Sequence, residues 1–534
     1  MVRAGPEVGP GGDVLSGQPQ GKGVVIEPTD RGSGAVDAVR ARLSWLPVPW
    51  PVLFVAGLMA ALLLAVSGAY GFHRDEMYFI VAGRHPAFGY ADQPPITPLL
   101  SAASAAVLGV SPTAVRLLPT LEMALVVVLT ALIARDLGGS PRAQTLAAIT
   151  TALSGYLGAG HLDDTAEFDL LAWAVVAWLI VKLLAGGDRR LWLAVGIATG
   201  VGLENKDTLF FLGAGLAVGL LLSRRWDVVR SPWAWAAIGI AILIWLPNLV
   251  WEAANGFPQL ALASHIANQA ADNRASLIPL LWLFSGPFLF PVSVAGLIWI
   301  LRAREALAWR TIGIAAVVGP ILVYATAGKG YYAIGIVPVL MAAGAMTVDR
   351  WLTRGRRPVR AAKAASFAVA AALSGALVAY LTLPILPLAD YAKTSLPTTV
   401  TDTAEQVGWP ELVTQVEGVV AALPADQRAS AMILAGNYGE ASALELLGTG
   451  LPPVYSGHNA YWNWGPPPDD LTVVVHVGDW SETQWSPYFE GCTTVATIHN
   501  RFGIPNQEEG QAILVCTGLR QSWSFIWPNL RHLD

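Results

Sequence analysis

The chain has 534 residues, of which 54% are hydrophobic and only 13% charged, whereas an ordinary soluble domain carries about 25% charged residues. A deficit of that size cannot be hidden in one globular core and calls for a nonaqueous solvent, which excludes a soluble protein. The net charge of −5 gives no basic footprint for nucleic acid, so no nucleic-acid partner is expected.

The first forty residues are rich in Gly, Pro, Asp and Val, with little periodicity. They are expected to form a disordered cytoplasmic tail over 1–45. They lack the early apolar run of a cleavable signal peptide. A bilayer core about 30 Å thick needs roughly 20 apolar residues per helix. Such runs fall at 48–70, 114–134, 143–160, 168–185, 191–205, 208–222, 232–251, 277–301, 311–328, 332–348 and 364–388. The short pair 191–205 and 208–222 reads either as two tight spans or as one broken helix. The expectation is a polytopic α-helical membrane protein of about eleven transmembrane helices, with its membrane domain over 46–388.

Lys and Arg bias sets orientation. With a cytoplasmic N-terminus, the inner loops hold Arg135 and Arg142; Lys182, Arg189 and Arg190; Arg224, Arg225 and Arg230; Arg302, Arg304 and Arg310; and the basic run from Arg350 to Lys363. The outer loops hold only Arg74, Arg84, Arg116, Lys206, Arg274 and Lys329. This bias places the chain in the plasma (inner) membrane as a multi-pass protein, with residues 389–534 outside. That segment changes character, with short apolar strands at Ala431–Ala435, Leu471–Val477, Thr493–Ile498 and Ala512–Cys516 and a helical stretch at Glu440–Leu447. It reads as an extracytoplasmic α/β domain. Cys492 and Cys516 are its two cysteines, either bridged, as an oxidising compartment allows, or two buried thiols.

The outer loops carry the chemistry. The first reads GFHRDEMYFIVAGRHPAFGYADQPPITPLL and runs into a short apolar stretch, 96–110, expected as a helix at the membrane surface. Asp75 in it is either an N-cap or a catalyst. In the second, GHLDDTAEFDLLAW, Asp164 and Glu167 have the spacing of a capping box. Asp169 lies inside the first turn of an apolar helix, where a charge faces a polar cavity or partner. A divalent cation could use Asp164, Glu167 and Asp169, but their spacing specifies no metal and no cofactor is certain. In the third, GLENKDTLFF, Lys206 is either salt-bridged to Glu204 or Asp207 or aimed at an anionic ligand. The fourth, AGKGYYAIGIVP, brings Lys329, Tyr331 and Tyr332, and the loop 252–276 adds His265 and Arg274. Acids and a few cations thus share one membrane face, as a site that uses a base and binds phosphate would require.

The run Arg74-Asp75-Glu76-x-Tyr78 followed by Gly89-Tyr90-x-Asp92-Gln93-Pro94-Pro95 resembles the first outer loop of the membrane glycosyltransferases of the C superfamily. It is most similar to the bacterial branch related to protein O-mannosyltransferases and the lipid A aminoarabinose transferase. GLENKDTLFF, GKGYYAIGIVPVLMAAGA and the C-terminal AGNYGEASALELLG with LPPVYSGHNAYWNWGP also resemble that branch. The resemblance covers most of 50–534. It implies a polyprenyl-phosphate-linked sugar donor, a glycan, lipid or protein acceptor, and transfer with inversion at the outer face. It implies Asp75 as the base, with Glu76 beside it in the catalytic pair. Lys206, Lys329 and Arg274 would meet the donor phosphate. Tyr78, Tyr90, Asp92, Asp169, His265, Tyr331 and Tyr332 would contact substrate. The competing readings are a transporter or lipid flippase, which would also carry many spans and intramembrane charges, and a noncatalytic lipid-binding protein.

Overall fold

The computed structural model of the chain describes residues 48–533. The expected tail, 1–45, lies outside the described residues. Helices dominate up to Thr382, and a small sheet follows.

Five of the described helices are long and apolar enough to cross a membrane: Pro112–Asp136, Pro232–Ala254, Arg304–Ala325, Gly330–Thr353 and Arg357–Thr382, the third and fourth beginning with a 3-10 turn. Five shorter apolar helices join them: Trp50–Val66, Ile96–Leu108, Leu191–Leu203, Leu209–Leu222 and Phe290–Arg302. The run expected as one span over 277–301 is two helices, Ala270–Phe284 and Phe290–Arg302. The cause is local. Gly286 sits at φ +77° just past the first helix, Pro287 follows it, and a left-handed glycine with a proline behind it is a helix stop. Likewise 143–160 breaks at Leu153–Ser154 into Pro141–Ala152 and a short helix, Gly155–Ala159.

The stretch 191–222 forms two separate helices, Leu191–Leu203 and Leu209–Leu222. Trp192, Val195 and Thr199 on one helix and Leu212, Leu216 and Leu220 on the other line a single apolar groove along both their lengths. One straight, broken helix could not place both ends on one groove.

After Thr382 the chain builds a five-stranded sheet from β1 (Ala431–Ala435), β2 (Val454–Ser456), β3 (Val473–Gly478), β4 (Phe489–Thr497) and β5 (Ala512–Leu519), in the order β2-β1-β3-β5-β4. β1 is parallel to β2 and β3; β5 is antiparallel to β3 and β4. β1 and β3 are buried along their whole length, as their unbroken apolar runs require of strands covered on both faces. One face packs Ile433, Val475 and Ile513 against the helix Trp409–Ala422, whose Trp409, Leu412, Val413, Val416 and Val420 form one apolar stripe. The other packs Met432, Leu434, Val474 and Leu514 against the helix Trp523–Leu530. Cys492 and Cys516 are directly opposed on β4 and β5 and are joined as a disulfide. The edge strand β2 is three residues long, too short to stand out from its turn-rich surroundings in the sequence.

The sheet's first core does not stop at the end of the helical region. Phe72, Met77 and Ile80 pack into it alongside Trp409 and Ile433. The described residues accordingly form one compact unit, with the helix Arg74–Arg84 at the join.

Candidate functional site

The helix Arg74–Arg84 begins on His73, whose side chain accepts from the Asp75 N–H at 3.3 Å, while the His73 N–H donates to Glu76 Oε2 at 2.7 Å. His73 is therefore the cap, and Asp75 lies inside the first turn with its carboxylate released from capping. Asp75 and Glu76, adjacent in sequence, point into different environments. Glu76 is fully buried and bonded to the equally buried Arg116 at 2.6 and 2.8 Å, and it also accepts from the Asp163 N–H. Arg116 in turn donates to the carbonyls of Ser67 and Gly71. Glu76, expected in the catalytic pair, is thus enclosed in an ion pair that ties the first two loops together. Asp75 faces a cavity.

That cavity has a volume of about 410 Å³, and all four sequence-identified loops meet in it. The first loop supplies Asp75, Tyr78, Asp92 and Gln93; the second, Asp164 and Thr165; the third, Asn205 to Thr208; the fourth, Lys329, Tyr331 and Tyr332. The C-terminal region adds Tyr438 and Asn459. Tyr78 donates to Asp92 Oδ1 at 2.7 Å and accepts from the Ala460 N–H at 3.2 Å, and Asn459 reaches Asp92 Oδ2 at 3.4 Å. The first loop is thereby fixed from above by residues 459 and 460.

Lys206 donates to Thr165 Oγ1 at 2.6 Å and Tyr331 Oη at 3.2 Å, with its ammonium 4.8 Å from the Tyr331 ring centre. Its hydrogen bonds go to hydroxyls rather than to Glu204 or Asp207, so its charge is not cancelled by its sequence neighbours. The loop that carries it is held by Asn205, which donates to the Thr165 carbonyl at 2.7 Å and accepts from Thr97, and by the Ile96 N–H, which donates to the Glu204 carbonyl.

Several expected site residues lie elsewhere. Asp169 is buried one layer behind the cavity, where Thr208 donates to its carboxylate at 2.6 Å. Thr208 also accepts from the Trp173 indole N–H, so Asp169 anchors the Lys206 loop from within the bundle. Tyr90 is buried and donates to the His85 carbonyl at 3.3 Å. Arg274 lies over Tyr324 and donates to its carbonyl at 3.1 Å, outside the cavity wall. His265 is exposed, on a helix that turns Gln259, Leu262, Ala263 and Ile266 to the cavity instead. Asp164 and Glu167 do form a capping box on the helix Thr165–Leu184, and Asp164 also reaches the cavity. With Glu167 engaged in the cap and Asp169 under Thr208, the three carboxylates do not converge. Among the described residues no three His, Cys, Asp or Glu side chains form a ligand set, and these three candidates are not arranged as one. His161, in the second loop, is buried beside Gln406; burial and the nearby Arg116 charge push its imidazole down to about 3, which leaves it neutral.

Sequence reasoning missed Tyr438, Asn459 and Thr165. The first two were visible only as part of the C-terminal resemblance, and nothing local to them announces a cavity.

Residues 92–251 match the family model described as dolichyl-phosphate-mannose-protein mannosyltransferase. The fold is similar to that of ArnT from Cupriavidus metallidurans bound to undecaprenyl phosphate, with a TM-score of 0.56 at 15% identity over 87% of this chain and 97% of that one. The apo state of the same ArnT gives 0.54 at 15% identity over 90% and 98%. The expected resemblance is therefore seen at two levels: residues 92–251 match the mannosyltransferase model, and the chain, a membrane protein by its apolar helices, shares its overall fold with ArnT. At such identities the likeness to ArnT is one of fold. No curated protein matches the sequence.

Proposed function

We propose that the protein transfers one sugar from a polyprenyl-phosphate donor to a hydroxyl of a cell-envelope acceptor, with inversion, at the membrane face that carries the C-terminal domain. The observation that carries this reading is the meeting of Asp75 and Lys206 in one cavity whose wall residue Phe210 also lines an apolar groove. The groove has a volume of about 740 Å³ and runs between the helices Leu191–Leu203, Leu209–Leu222 and Pro232–Ala254. A donor with an anionic head and a long hydrocarbon tail matches a cavity that holds Lys206 and Lys329 beside an apolar groove that shares Phe210 with it. ArnT, which shares the fold, is bound to undecaprenyl phosphate.

The chemistry follows from these groups. The acceptor hydroxyl oxygen attacks the anomeric carbon as the bond from that carbon to the phosphate oxygen breaks. Asp75 takes the hydroxyl proton, as a carboxylate within hydrogen-bond reach can. Positive charge grows on the sugar ring, and the carboxylates of Asp92 and Asp164 around the cavity stabilise it. The departing polyprenyl phosphate carries negative charge, which Lys206 and Lys329 offset in a setting less screened than water. A single displacement inverts the anomeric centre. The bias of basic loops favours an extracytoplasmic site, and a lipid-linked donor removes the need for a soluble nucleotide sugar there.

The test uses sealed proteoliposomes supplied with undecaprenyl phosphate carrying one labelled hexose or pentose, with envelope lipids, glycans or proteins as acceptors. Label moving into acceptor, with undecaprenyl phosphate released, is expected. Label crossing the bilayer still attached to donor would favour a flippase instead.

A further inference from the structure

Besides Asn459, which follows β2, the C-terminal sheet reaches the cavity through a tight turn after β1. β1 ends at Ala435, and Gly436-Asn437-Tyr438-Gly439-Glu440 leads into the helix Tyr438–Leu447. Each residue of that run has a visible task. Asn437 caps the helix by accepting from the Glu440 N–H at 2.9 Å. Glu440 is buried and accepts from the N–H groups of Gly436 and Asn437 at 2.8 and 3.1 Å, closing the capping box. Gly439 lets the helix start settle onto Arg74: a Cβ there would lie 3.0 Å from Arg74 Cβ and 3.1 Å from Asn437 Oδ1. The close approach puts Tyr438 over the first loop. Its ring lies 4.6 Å from the Arg74 guanidinium and 4.6 Å from the Tyr78 ring, and its hydroxyl donates to Asp75 Oδ1 at 2.7 Å.

We propose that Tyr438 is a positioning residue for Asp75, so that the C-terminal domain supplies part of the reaction site rather than a separate recognition module. This rests on the reading of Asp75 as the base. A carboxylate on the first turn of a helix can rotate about its side-chain bonds. The Tyr438 hydroxyl occupies one direction on Oδ1 and fixes the carboxylate plane, leaving its other lone pairs to the acceptor. The ring, held between Arg74 and Tyr78, sets where that hydroxyl stands. A base misplaced by about 1 Å can lower a rate by about 100-fold, so the contact has leverage on turnover without touching the donor phosphate.

The experiment compares wild type, Tyr438→Phe, Asp75→Asn and the double variant in the proteoliposome assay, with binding of undecaprenyl phosphate alone measured alongside. Tyr438→Phe removes one oxygen and keeps the ring between Arg74 and Tyr78. It is expected to lower kcat by about 10- to 100-fold while the donor KM, undecaprenyl phosphate binding and Tm stay at wild-type values. The double variant is expected to be no slower than Asp75→Asn, because Tyr438 acts through the carboxylate. A Tyr438→Phe protein with wild-type kcat, or effects that multiply in the double variant, would overturn the proposal. An active Asp75→Asn protein would instead overturn the reading of Asp75, so the two failures are distinct. Fluorotyrosine in place of Tyr438 reads the same contact should the Phe variant not fold. It keeps the ring and strengthens the donor, so the acid limb of kcat should move to lower pH, and an unmoved limb would overturn the proposal.

Discussion

Asp75 and Glu76 are consecutive carboxylates with opposite expected behaviour. Asp75→Asn keeps the side chain's size and leaves the helix start untouched, because His73 is the cap. Transfer should fall by about 10²- to 10⁴-fold, the usual contribution of a general base, with unchanged Tm. Glu76→Ala leaves the buried Arg116 unpaired. Breaking a buried ion pair from one side costs about 3–5 kcal/mol, so a large fall in Tm and yield is expected in a thermal melt. Normal stability in that variant would refute the structural assignment. Lys206→Ala should weaken undecaprenyl phosphate binding as well as turnover, since an ammonium meets the phosphate in the ground state too. Unaltered binding would reassign Lys206 to its Thr165 and Tyr331 contacts alone. At this scale Asp75, Tyr78, Asp92, Lys206, Lys329 and the Tyr331–Tyr332 pair were legible, because loop motifs carry them within a few residues. The placement of Glu76 was not. Its partner is 40 residues away, and that of Asp75 in the C-terminal region is 363 residues away. Sequence spacing says nothing about pairs of that kind.

At the level of elements, apolar composition located most of the apolar helices and hid their interruptions. The break between Phe284 and Phe290 follows from Ser285-Gly286-Pro287, a stop signal that the surrounding Leu, Phe and Trp residues obscured. The α/β character of the C-terminal region was readable because β1 and β3 are continuous apolar runs, while the three residues of β2 were not. The helix start at Tyr438 offers an expected outcome at this scale. Gly439→Ala touches no cavity atom, yet its Cβ would press on Arg74 and Asn437. It should lower transfer by displacing the Tyr438 hydroxyl, and activity equal to wild type would show that the helix start can shift without moving the site. The bridge between β4 and β5 should keep Cys492 and Cys516 from a maleimide in denaturant until reductant is added. Labelling of unfolded, unreduced protein would exclude the bridge.

For the molecule as a whole, the helical bundle and the sheet share a hydrophobic core around Phe72, Met77, Ile80 and Trp409. The helix Arg74–Arg84 belongs to that core on one side and to the cavity on the other. Loops separated by long stretches of chain line one cavity beside it, which is why the distribution of charge among loops pointed to the site. The same distribution carries a prediction about orientation: a C-terminal alkaline phosphatase fusion should be active and a fluorescent-protein fusion dark in a Sec-exporting host. The reverse pattern would move the cavity to the cytoplasmic side. The most direct measurement is sugar transfer in sealed proteoliposomes from labelled undecaprenyl-phosphate donors, wild type against folded Asp75→Asn. Donor-dependent transfer by the wild type, lost by at least about 100-fold in Asp75→Asn with undecaprenyl phosphate binding retained, is the expected result. Equal transfer by the two proteins, or no transfer from any hexose or pentose donor, would contradict it.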